Sequence, residues 1–173
     1  LISALQYCHD RHVIHRDIKL ENMLVHGNVL KLADFGWAVH VPGKNDGQRT
    51  TLCGSPAYVS PEIVDRRPHG HWTDLWSVGV AVYEMLHGRP PFEAASEKGI
   101  FERIRSVDLM FPEAAVVIEN DEEGDSSGDQ FVHRPADANN MAREVIQGLL
   151  RYEPRERWSL KKCLKSMWLT ESP

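Results

Sequence analysis

Leu1, Leu5 and Cys8 recur at helical spacing with Ile2 and Ala4 beside them, which predicts that the chain opens on the last two turns of an amphipathic helix. From Val13 to Phe35 short apolar runs alternate with polar clusters. Within that stretch Met23 to Val25 and Val29 to Leu32, separated by His26-Gly27-Asn28, predict a small hairpin. Gly36 to Ser60 holds no period and is rich in Gly, Pro, Asn, Asp, Thr and Ser, so it is expected to be a long loop, of the kind that is commonly functional or disordered.

Thr73 is placed to cap a helix running to about His87, apolar almost all the way round through Leu75, Trp76, Val78, Val80, Val82, Met85 and Leu86, and stopped by Gly88 and Pro90-Pro91. A helix of that kind belongs in the core. Further helices are predicted at about Ser96 to Arg105, Asn140 to Arg151 and Leu160 to Met167, so the fold class is mainly α with a small β-hairpin element. Glu119 to Gln130 holds six acidic residues and no apolar ones. It cannot bury enough surface to offset its ordering entropy and is expected to be a solvated insertion.

Composition narrows the picture. The 173 residues are 42% hydrophobic and 26% charged, with 20 Lys+Arg against 25 Asp+Glu, as in one globular domain. The net charge of -5 argues against electrostatic binding of nucleic acid or a membrane surface, so an anionic ligand needs a local site. The longest mainly apolar run, Leu75 to Leu86, is too short to cross a bilayer and is broken by Ser77, Tyr83 and Glu84. Cys8, Cys53 and Cys163 form no CxxC or Cys/His ligand pair, which fits a reducing compartment. The start has neither a basic leader nor a small-residue cleavage site. Residue 1 is expected to be a cut inside a helix.

The densest chemistry is His15-Arg16-Asp17-Ile18-Lys19-Leu20-Glu21-Asn22, followed by Asp34-Phe35-Gly36 and, after the long loop, Ser60-Pro61-Glu62. Taken singly, Asp17 or Asp34 is a common turn or cap residue. Together and in this order they resemble the H-R-D-x-x-x-x-N catalytic loop and D-F-G motif of protein kinases. The resemblance implies the large, carboxyl-terminal lobe of a Ser/Thr protein kinase using ATP and Mg²⁺. Asp17 is then expected to accept the substrate hydroxyl's hydrogen bond and its proton, and Lys19 to place positive charge on the transferred phosphoryl group. Asn22 and Asp34 supply hard oxygens for Mg²⁺, and Glu21, Leu24 and Ala33 join them around the nucleotide. Lys19 points to the Ser/Thr rather than the tyrosine class. His15 is expected to be a packed scaffold residue; the other histidines do not pair at metal-ligand spacing.

Residues 34–62 then correspond to an activation segment. By resemblance Thr51 is the principal phosphosite and Thr50 the secondary one, with Arg16 and Arg49 to pair with the phosphate, and Ser55 beside Asp17 helping to hold substrate. The alternative is that these are ordinary loop hydroxyls. Asp74 resembles the buried helix aspartate that holds the catalytic loop, and Arg157 is positioned to pair with Glu62. Both are expected to be paired structural anchors, since a lone buried carboxylate is costly.

Within the kinases, Trp37-Ala38-Val39-His40 after the DFG, Arg49-Thr50-Thr51-Leu52-Cys53-Gly54-Ser55 and Gly88-Arg89-Pro90-Pro91-Phe92-Glu93-Ala94 resemble the Aurora family. That likeness implies basic Ser/Thr-site substrates such as histone or spindle proteins, an activating protein partner, and a place in the nucleus and cytoplasm at the spindle, centrosome or chromosomes. Leu20, Ala38, Gln48, Ser55 and Trp158 depart from the family pattern, but none removes a metal ligand or the expected base. The acidic segment around Ser126 and Ser127 is an unusual insertion, either solvated or a partner-docking element. No Gly-rich loop, β3-type lysine or hinge precedes residue 1, so the small lobe is expected to be absent and the chain to be a fragment that binds nucleotide weakly by itself. The rival readings are a truncated scaffold or pseudokinase, and a polo-like or AMP-activated-like kinase.

Overall fold

The computed structural model describes residues 1–41, 50–112, 136–166 and 169, the side chains of 136–139 lying outside that description. Helix α1, Ile2–His9, leads into a short strand β1, Val13–Ile14. Residues 15–22 follow, ending in a 3-10 turn over Leu20–Asn22. Strands β2, Met23–His26, and β3, Val29–Leu32, then form the predicted hairpin in the register Met23 to Leu32 and His26 to Val29. The loop between them is Gly27-Asn28, and Gly27 takes φ 57° as a tight hairpin turn demands.

Strand β4, Val39–His40, and helix α2, Pro61–Val64, escaped the pattern. Strand β4 pairs antiparallel with β1, so the expected loop 36–60 begins by returning to the chain segment just ahead of residues 15–22. Helix α2 is a single turn directly after Ser60. Neither is long enough to display a period. Arg49, expected to pair with a phosphate on the segment, and the acidic segment 119–130 lie outside the described residues.

Helix α3, Trp72–His87, is the axis of the core, with every residue from Thr73 to Tyr83 buried. Thr73 is not its cap: the helix begins one residue earlier, after His71, and the Thr73 hydroxyl donates back to the Gly70 carbonyl at 2.9 Å. Gly88 ends α3 as predicted. Helix α4, Glu97–Ser106, starts where Ser96 accepts the Gly99 N–H. Helix α5, Ala136–Leu149, begins earlier than its apolar period suggested and stops before Leu150 and Arg151. It packs on α3 so closely that a Cβ on Gly79 would meet the Leu149 side chain at 2.9 Å. Helix α6, Leu160–Leu164, capped by Ser159, ends short of the expected Met167, which lies outside the described residues. Among the described residues no helix is long and apolar enough to cross a membrane.

Trp76, fully buried, stacks on Phe92 at 5.4 Å, and the Arg157 guanidinium lies over its ring at 5.2 Å. Arg157 is bidentate to Glu62, with bonds of 2.7 and 2.6 Å, and its other hydrogens go to the carbonyls of Arg151, Trp72 and Tyr152. All five guanidinium donors are thereby matched, the condition under which a buried charge is tolerated. The pair ties α2, and with it the end of the 34–62 segment, to the chain beyond α5.

Breaking this pair from one side leaves the other charge buried and alone. Arg157→Met is expected to lower unfolding free energy by about 3–5 kcal/mol, as measured by urea denaturation, with Glu62→Gln acting in the same direction.

Candidate active site

The loop expected to be catalytic, residues 15–22, is held by α3. The Asp74 carboxylate, fully buried in the first turn of α3, accepts the backbone N–H of His15 at 3.0 Å and of Arg16 at 2.8 Å. A third donor, Nε2 of His9 at 2.8 Å, comes from the last turn of α1. The amino end of a helix favours a carboxylate, and three donors offset its desolvation. Arg16 is thereby kept at φ 67°, a conformation that costs a non-glycine residue energy and that the flanking bonds enforce.

His15 is fully buried and bridges two parts of the site. Its Nδ1 accepts the Asp17 N–H at 3.3 Å, and its Nε2 donates to the Ala33 carbonyl at 3.1 Å. These two bonds define the tautomer with the proton on Nε2. The ring also meets Phe35 edge-on, with centroids 4.8 Å apart.

Asp17 is the convergence point. One of its carboxylate oxygens accepts from the backbone N–H and the hydroxyl of Ser55, at 3.1 and 3.0 Å. The other faces Nζ of Lys19 at 3.1 Å and the Asn22 amide at 3.3 Å. Lys19 also donates to the Ser55 hydroxyl at 2.9 Å. Burial by itself would raise the Asp17 pKa, but the Lys19 ammonium and the Ser55 hydrogen bonds outweigh it and hold the carboxyl below its ordinary value. The structure thus brings Asp17, Lys19, Asn22 and Ser55 into one bonded cluster although Ser55 stands 38 positions from Asp17.

Asn22 donates to the Asp17 carbonyl at 2.8 Å, while its own backbone carbonyl accepts the Ala33 N–H at 2.8 Å. The second bond extends the hairpin ladder by one rung and sets Asp34 one residue beyond it. One Asp34 carboxylate oxygen accepts the Gly36 N–H at 3.0 Å, and the residue lies exposed at φ 58°. The Asn22 side-chain oxygen Oδ1 and the second Asp34 carboxylate oxygen accept no hydrogen bond among the described residues. Two free hard oxygens fit Mg²⁺, which is commonly held by one or two protein oxygens plus phosphates and water. No cluster of three His, Cys, Asp or Glu residues arranged to hold a metal occurs among the described residues, so an all-protein cage is not what the site offers there. Leu24 is 54% exposed on the hairpin, with Ala33 partly buried and Glu21 exposed nearby in sequence.

Thr50 and Thr51 are exposed. Arg16 uses Nε on the Trp37 carbonyl at 2.8 Å, while its terminal nitrogens make no hydrogen bond among the described residues. Its charge is felt at Cys53, where it opposes the upward push of burial, so it lies within electrostatic reach of the segment that carries Thr51. Gly54 sits at φ 93°, and a Cβ there would lie 2.7 Å from the Arg16 carbonyl oxygen. Glycine is therefore required to bring Ser55 onto Asp17.

Two participants were not legible beforehand. His9 carries no local signal, because its partner lies 65 residues away. Tyr58 accepts the Leu20 N–H at 3.4 Å and hydrogen-bonds the Glu84 carboxylate; burial and then Glu84 push its phenol well above the ordinary range.

Comparison with known proteins agrees with this architecture. The protein kinase domain model matches residues 1–169, and the chain belongs to that family. It is 41% identical to Aurora kinase C of Mus musculus over 172 residues, covering 99% of this chain and 53% of that protein. It is likewise 41% identical to Aurora kinase B of Danio rerio over 168 residues, covering 96% and 44%, and to the Aurora kinase of Schizosaccharomyces pombe over 174 residues, covering 99% and 41%. The chain spans about half the length of the curated relatives it matches.

The Asp17 carboxyl is expected to titrate below 3.8 when followed by carboxyl-carbon NMR, and Lys19→Met to raise its midpoint. Because the folded pKa is the lower one, its stabilising contribution is complete above the unfolded value of about 3.9 and is lost as pH falls through the folded value. The stability difference between the parent and Asp17→Asn should therefore be flat from neutrality to about pH 5 and shrink in more acid solution. Gly54→Ala is expected to lose about 1–3 kcal/mol in urea denaturation, the cost of a strained residue against backbone.

Proposed function

We propose that this chain carries the phosphoryl-transfer centre of a protein Ser/Thr kinase, moving the γ-phosphoryl group of ATP to a protein Ser or Thr hydroxyl. The observation that carries this reading is the Asp17 cluster: a carboxylate held below its ordinary pKa, its neighbours fixed by hydrogen bonds, with Asn22 bonded both to Asp17 and to Ala33, the residue before Asp34. Phosphoryl transfer needs positioning and charge neutralisation more than covalent help, and these residues supply both.

In this reading Asp17 orients the substrate hydroxyl and takes its proton late in the transfer. Lys19 neutralises charge on the transferred group, and its bond to Ser55 sets the distance between ammonium and carboxylate. Asn22 and Asp34 hold Mg²⁺, which when bound offsets the charge of the phosphates. Leu24 and Ala33 offer an apolar floor to the nucleotide base, and Glu21 a carboxylate near the substrate path.

Thr51, with Thr50 secondary, is the regulatory phosphosite, its phosphate to be met by the free nitrogens of Arg16 and by Arg49. Residues 15–22 act as the catalytic loop and 34–62 as the activation segment of a large lobe that requires an ATP-covering lobe to work. Likeness to the Aurora kinases supports basic Ser/Thr-site protein substrates in cell division, of histone or spindle type, together with an activating protein partner and a place at the spindle, centrosome or chromosomes.

The test is transfer of labelled phosphate from Mg·ATP to a basic Ser/Thr peptide, using the longest product of the gene that contains these 173 residues. Asp17→Ala is expected to lower the rate by about 10²–10⁴-fold. No transfer by the parent, even with Thr51 phosphorylated and the activating partner supplied, would favour a scaffold that keeps the fold for binding.

A further inference from the structure

A cavity of about 380 Å³ opens between α1, β1, the start of α3 and the start of α6, and its lining contains none of Asp17, Lys19, Asn22, Asp34 and Ser55. That volume falls in the range of small-molecule sites. His9, His12 and His71 line it together with Lys161 and Ser159. The single carboxylate in the lining, Asp10, already accepts a hydrogen bond from Gln6 at 2.7 Å.

The lining is thus rich in donors. Lys161 makes no ion pair among the described residues, and the His12 ring no hydrogen bond among them. Ser159 uses its oxygen to accept the Lys162 N–H at 3.2 Å, which leaves its own proton to donate. His12 is exposed and held at φ 57°, its carbonyl fastened by the Val41 N–H at 2.8 Å. Strain of this kind in a residue with an unengaged ring is a recurrent mark of binding sites. The remaining wall is apolar and buried: Val41, Leu75 and Leu160.

We propose that this cavity binds a small organic anion, its acidic head on His12, Lys161 and Ser159 and its apolar body against Val41, Leu75 and Leu160. Imidazole, ammonium and hydroxyl are all donors, so the head must be acceptor-rich, a phosphate monoester or a carboxylate. The apolar wall excludes a bare inorganic ion as the preferred ligand, because desolvating that wall gains nothing from an ion without a hydrocarbon body. A metal is a poor fit, since no suitable cluster of three ligands exists among the described residues. The occupant would also touch His9, whose Nε2 holds Asp74 at 2.8 Å, and so would sit one residue from the anchor of the catalytic loop.

The test is calorimetric titration of phenyl phosphate into the full chain, with the bound position read from amide NMR shifts. Saturable binding is expected, with shifts centred on His12, His71 and Lys161. His12→Ala combined with Lys161→Ala should weaken it by about tenfold at unchanged melting temperature, the loss of charge-assisted bonds. The single Lys161→Ala, an exposed position in a helix, keeps the test decisive if the double variant misfolds, and should weaken binding in the same direction. Lys19→Ala should leave it unchanged. Absence of binding, inorganic phosphate binding as tightly as phenyl phosphate, undiminished affinity in the Lys161 variant, or shifts centred on Lys19 and Asp34 would each overturn the proposal.

Discussion

The buried carboxylate of Asp74 is the constraint from which the site follows. It is completely shielded from water, and it receives two backbone donors of the catalytic loop and one imidazole. Removing a carboxylate from water costs several kcal/mol, so it is stable there only while all three donors are aimed at it. That requirement turns Arg16 into the left-handed region and fixes the direction in which the chain leaves it, toward Asp17. The loop geometry is therefore set by a helix 58 residues further along, not by the loop's own preferences.

From Asp17 outward the site is a chain of mutual satisfaction. Asn22 bonds Asp17 and, through the Ala33 N–H, the end of the hairpin just before Asp34; His15 bonds Asp17 and the Ala33 carbonyl; Lys19 and Ser55 bond Asp17 and each other. In such networks each bond orients the donors of the next, and a partly satisfied member is costly. The Arg157–Glu62 pair performs the matching task at the other end, where the segment from Asp34 to Glu62 rejoins the core. The segment's exposed threonines lie between these two anchored ends.

The apolar core and the polar site share a single helix. The interior of α3 is buried against Phe92 and α5, while its first turn presents Asp74 to the catalytic loop and Thr73 to Gly70. Core packing thus supplies the rigidity that the hydrogen bonds need, since a donor is useful only if its acceptor does not drift. The cavity behind His9 lies at the junction of these same elements, which is why its lining mixes imidazoles with buried leucines.

The linear pattern was enough to show the helical core, because an element as long as α3 repeats its apolar signal over several turns. It was enough to show the hairpin as well, because Gly27-Asn28 between apolar runs has few other uses. The joint presence and order of Asp17, Asn22 and Asp34 made the family legible, since that combination of residue types is scarce. The two-residue pairing of β1 with β4, the single turn of α2 and the true start of α3 were not legible, being too short or too local to carry a period. What only the tertiary structure decided is which distant atoms meet: His9 on Asp74, Ser55 on Asp17, Tyr58 beneath Leu20. Those contacts depend on chain segments 38 to 65 residues apart, and no local pattern encodes a partner that only the packed core brings within bonding distance.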